Sequence, residues 1–167
     1  MKFKILNFIL FQLGWFILIL GAAWNETFTA VILSLSILAL HLSIIDQKLS
    51  EIKLILIAGF IGFLFDGIIQ YYNLIIYNSP GWEFPLTPIW IIILWMFFAI
   101  TLNHSLVWLK NRLLLSSLFG AIGGPLAYIA GEKLGAITIT QQFSLVLLSI
   151  GWALITPILL SIGKTND

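Results

Sequence analysis

The segment Ile52–Tyr77 reads IKLILIAGFIGFLFDGIIQYYNLIIY, an apolar run with one lysine near its start and a single acidic residue, Asp66, deep inside it. A hydrocarbon core of about 30 Å needs roughly 20 apolar residues at about 1.5 Å rise each, so a run of this length reads as a membrane-spanning helix. Asp66 lies about 21 Å along such a helix from Ile52, where an acidic side chain costs about 2.5–3.5 kcal/mol on insertion scales. It must therefore face other helices. Gly59, Gly62, Asp66, Gln70, Asn73 and Tyr77 recur at steps of three or four, which places them on one helical face turned into a bundle.

The same length criterion finds five more spans along the chain. Together the six lie at about 5–23, 27–45, 52–77, 87–109, 113–135 and 139–162, separated by short breaks with no room for a second domain. Composition agrees: of 167 residues, 60% are hydrophobic and 9% charged, against roughly 25% charged in soluble domains. Lys2, Lys4, Lys48, Lys53, Lys110, Arg112 and Lys164 fall on one side of these spans and Lys133 alone on the other. By the positive-inside rule both termini are cytoplasmic, as an even number of spans requires. Trp24, Tyr71, Tyr72, Tyr77, Trp82 and Trp90 are expected to form an aromatic belt at the outer interface. The chain thus reads as a single all-α domain, a multi-pass bundle of six transmembrane helices.

Two other organisations compete with this reading. Lys2 and Lys4, an apolar run and Gly21-Ala22-Ala23 resemble a signal peptide, but the run exceeds the usual h-region of roughly 7–15 residues and carries Asn7 and Gln12, so a retained helix is expected. The pairs Gly14-Trp15 and Gly151-Trp152 hint at an inverted repeat, yet their surroundings do not align.

Polar residues inside the spans form two groups. Toward the outer half lie Asp66, Gln70, Tyr128 and Glu132, read as ligand contacts, with Gln12 added from the cytoplasmic half. Asp66 has two readings, a site facing a cavity or a carboxyl bonded to neighbouring helices that holds their register. The second group is His41, Asn103 and His104, the candidates for acid–base catalysis. No pair has metal-ligand spacing such as HExxH, so no metal and no other cofactor is expected. The fifth span, with Gly120, Gly124, Ala127, Gly131 and Gly135 around Pro125, offers close-packing faces and a kink.

Much chemistry is set aside by absence. There are no cysteines, no G-x-S-x-G elbow, no P-loop and no Arg/Lys cluster for phosphate. A net charge of +1 argues against a nucleic-acid partner.

Three segments, Phe11–Trp15 (FQLGW), Leu86–Leu109 (LTPIWIIILWMFFAITLNHSLVWL) and Gly124–Ala136 (GPLAYIAGEKLGA), resemble a bacterial polytopic inner-membrane family, domain of unknown function 2878. The resemblance covers the whole chain. It implies the inner membrane but no activity, and the placement of such genes near lipid-modifying enzymes implies membrane lipids as partners.

Three functions follow as expectations. The first is non-covalent handling or transport of a small or lipid-derived ligand around Asp66. The second is an enzyme acting on acyl or isoprenoid chains, with His104 as acid–base and Asn103 orienting substrate. The third is a structural subunit for a membrane protein partner.

Overall fold

The computed structural model describes residues 2–163. Six helices follow one another: α1 Lys2–Ala23, α2 Thr27–Ile44, α3 Lys48–Tyr71, α4 Ile89–Leu102, α5 Leu113–Lys133 and α6 Phe143–Ile162. Two short strands, β1 Ile75–Tyr77 and β2 Ile137–Ile139, pair antiparallel with Ile75 opposite Ile139. Turns between elements rest on residues that tolerate left-handed backbone: Asn25, Asn73 and Asn111 have φ of 65°, 53° and 63°.

The helices alternate in direction, as their end-to-end contacts show. Phe3 packs on His41 and His104, Glu51 bonds both histidines, and Lys110 donates to the Gly163 carbonyl. These contacts gather the starts of α1 and α3 and the ends of α2, α4 and α6 at one end. At the other end Thr27 donates to the Ser79 carbonyl, Asn78 donates to the Gly135 carbonyl, and β1 meets β2. Lys2, Lys4, Lys48, Lys53, Lys110 and Arg112 lie toward the first end and Lys133 at the second; Lys164 is outside the described residues.

Five helices are long and apolar enough to cross a membrane, and their outer faces expose large side chains such as Phe16, Ile32, Phe60, Ile122 and Leu154. Such surfaces need an apolar solvent. The fourth helix differs. Where the sequence suggested one span over 87–109, α4 has only 14 residues, about 21 Å of rise. Its C-terminus stops because α1 supplies replacement partners: Asn7 donates Nδ2 to the Ile100 carbonyl at 2.8 Å and accepts from Ser105 Oγ at 2.7 Å. A short helix is tolerable here because α1, α2 and α3 enclose it and none of its residues is exposed.

Other boundaries also shift. The third span does not continue helically to 77; α3 ends at Tyr71 and the left-handed Asn73 turns the chain into β1, so Asn73 and Tyr77 leave the expected helical face. The sixth helix starts at Phe143, since residues 137–139 are held in strand pairing with β1. Of the expected aromatic belt, Trp24, Tyr71, Tyr72 and Trp82 are exposed, but Tyr77 and Trp90 are core residues. Helix α5 runs unbroken through Pro125.

In an apolar solvent helices associate through close packing and interhelical hydrogen bonds, so small residues matter. A Cβ at Gly62 would sit 2.1 Å from the Trp95 ring, joining α3 to α4, and one at Gly120 would sit 2.2 Å from the Trp152 carbonyl, joining α5 to α6. Gly62→Val and Gly120→Val should each destabilise the detergent-solubilised protein by about 1–3 kcal/mol or more through overpacking. Gly123→Ala, whose new methyl meets nothing nearer than 4.0 Å, should leave the melting temperature unchanged or raise it, because alanine favours helix. Thermal unfolding followed by tryptophan fluorescence distinguishes the three.

Candidate functional site

Asp66 is fully buried and accepts three hydrogen bonds. Its Oδ1 receives the Tyr77 hydroxyl at 2.6 Å and the Tyr128 hydroxyl at 2.5 Å, and its Oδ2 receives the Trp95 indole N–H at 2.7 Å. The donors come from β1, α5 and α4, so one carboxyl group ties four elements together. Burying such a group is costly unless its lone pairs are satisfied, and here they are.

The α5–α6 hairpin docks on the rest of the bundle mainly through this contact, the β1–β2 pair and two aromatic seams. Trp95 stacks on Trp152 at 4.3 Å, and Phe65 lies against Gly151. Between α1 and α4 on one side and α5 and α6 on the other remains a largely apolar cavity of about 370 Å³. Phe11, Trp15, Leu94 and Phe98 wall one side, and Gly123, Ala127 and Trp152 the other. Its sparse polar groups include Gln12, Thr101, Ser105 and Tyr128. Two donors to Asp66, Tyr128 and Trp95, line the wall, while Asp66 stands behind them.

A second buried carboxylate, Glu51, lies in the first turn of α3. Its Oε1 is 3.1 Å from His41 Nε2 and 3.2 Å from His104 Nε2, and its Oε2 accepts the Asn103 amide at 2.8 Å. Phe3 covers both rings, face-on to His41 and edge-on to His104. Beside this centre is a more polar cavity of about 390 Å³, walled also by Ile45, Asp46 and Gln47. This end of the bundle carries most of the basic residues.

The expected residues thus divide among several places. Asp66 and Tyr128 meet, and Tyr77, counted on the same face, joins them from a strand. Glu132 instead accepts the Ile139 amide at 2.7 Å and caps β2, and the buried Oε1 of Gln70 makes no hydrogen bond. Gln12 lines the apolar cavity. His41, Asn103 and His104 do converge, on Glu51, which the sequence reading had placed in a break between spans. Trp95 was likewise missed as an Asp66 partner. Neither leaves a local signal: Glu51 is 10 and 53 residues from its two histidines, and Trp95 is 29 from Asp66.

The chain matches the family described as protein of unknown function (DUF2878) over residues 4–158, and it belongs to that family. No curated protein and no solved structure matches it.

Asp66→Ala strands three buried donors, each costing about 1–3 kcal/mol when unpaired. We expect it to unfold or melt far below the parent in detergent, with Tyr77→Phe losing only about 0.5–1.5 kcal/mol, a single hydrogen bond's net worth. Melting curves that match the parent for Asp66→Ala would remove the carboxyl group's structural role.

Proposed function

For a member of this family we propose a multi-pass protein of the bacterial inner membrane, crossing six times with both termini cytoplasmic, that binds the apolar chain of a small or lipid-derived ligand without covalent chemistry. The observation that carries this reading is the apolar cavity that α1 and α4 form with α5 and α6. Ligand pockets are commonly of 300–1,000 Å³, mostly apolar with a few placed polar groups, a description this cavity meets. The glycines of α5 contribute width, since Gly123 faces open space where a side chain would fill it. Asp66 contributes indirectly, by fixing Tyr128 and Trp95 in the wall. The crossing direction is supported by the basic residues at one end, and the short α4 crosses as an enclosed core helix.

A second reading is favoured by the convergence of His41, Asn103 and His104 on Glu51 beside a cavity: a membrane enzyme acting on acyl or isoprenoid chains. In it His104, partly exposed, exchanges the proton, and Glu51 orients the ring.

The test of the first reading is the lipid carried through purification. Mass spectrometry of the detergent-extracted parent should find a chain-bearing molecule retained per protein. The Gly123→Leu/Ala127→Leu double variant, which fills the cavity, should lose most of it while keeping its elution profile. Equal retention in both, or none in the parent, overturns the reading.

A further inference from the structure

The centre on Glu51 holds an arrangement that binding in the apolar cavity does not use. His41 Nε2, His104 Nε2 and a Glu51 carboxylate oxygen all lie within 4.8 Å of one another. In a tetrahedral zinc site, with bonds of 2.0–2.2 Å to nitrogen and oxygen, neighbouring ligand atoms stand about 3.3–3.5 Å apart. Two of the three separations, 3.1 and 3.2 Å, are already close to that edge. Both rings offer the same nitrogen to the same oxygen. An ion seated among them replaces the two Nε2 protons, and Glu51 supplies a negative charge to meet it.

Two further features fit a bound ion. Asn103 holds Glu51 Oε2 at 2.8 Å, the kind of outer contact that fixes a ligating carboxylate. His104, Glu51 and Asn103 border the polar cavity, which leaves access for the ion and for one further ligand. Two imidazoles with one carboxylate select a transition metal over magnesium or calcium, which prefer all-oxygen sites.

We propose that His41, Glu51 and His104 bind a divalent transition metal ion of the zinc class, with Asn103 fixing the carboxylate and one coordination position open to the cavity at the basic end of the bundle. Three protein ligands with an open position is the pattern of catalytic zinc rather than structural zinc. The proposal is independent of the apolar cavity: the ion site stands or falls without any lipid being bound.

The experiment uses the tag-free full chain in detergent, stripped with a chelator and titrated with Zn²⁺ alone, with Mg²⁺ as comparator and Co²⁺ as spectroscopic probe. One Zn²⁺ per chain should bind and raise the melting temperature, Mg²⁺ should do neither, and Co²⁺ should give the visible absorption of a four- or five-coordinate site with nitrogen ligands. His104→Ala, at the partly exposed ligand, should weaken Zn²⁺ binding by at least about 100-fold, and Asn103→Ala by about 10- to 100-fold as an outer-contact loss. If His104→Ala fails to fold, the parent's Co²⁺ spectrum and Zn²⁺ stoichiometry decide alone. Substoichiometric Zn²⁺ uptake by the parent, a six-coordinate aquo-like Co²⁺ spectrum, or unchanged affinity in a folded His104→Ala protein each overturns the proposal.

Discussion

The carboxyl group of Asp66 is the constraint on which the rest of the bundle depends. Polar groups removed from water must find partners inside the protein, and this one recruits a tyrosine from β1, a tryptophan from α4 and a tyrosine from α5. The last of these matters most. Helices α3 and α5 have little other direct packing, so the Tyr128 bond crosses the seam between the first four helices and the closing hairpin. Where no hydrophobic force separates protein from solvent, a directional bond at the seam fixes register in a way that apolar contact does not.

From that seam the cavity follows. The hairpin is held to α3 and α4 by the Asp66 contact, by Trp95 on Trp152 and by the strand pair, while opposite α1 the glycine-bearing face of α5 leaves space. Thus the same residues that close one side of the molecule open the other. Asp66 serves the cavity from behind its wall.

The two buried carboxylates make an instructive contrast. Asp66 is saturated by phenol and indole donors and fully buried, an environment suited to holding helices together. Glu51 is surrounded by imidazoles and an amide, groups that can exchange protons or ligate ions, and it borders a polar cavity at the end of the bundle. Burial is similar; the partners decide what chemistry is open to each.

The all-helical class and the apolarity of the helices were legible from residue order alone, because the length and apolarity of a helix that must hide its backbone from lipid are local properties. So was the inward orientation of Asp66, since exposure to hydrocarbon is too costly to allow anything else. The extent of α4 was not: Asn7, 93 residues from the Ile100 carbonyl it caps, ends that helix, and enclosure by α1–α3 lets it be short. Nor was the strand pair, whose partners come from opposite halves of the chain. The identity of the partners, Tyr77 and Trp95 for Asp66 and the histidines for Glu51, belonged to the tertiary structure alone. Periodicity determines which face of a helix turns inward, but what that face meets depends on contacts tens of residues apart that no local pattern encodes.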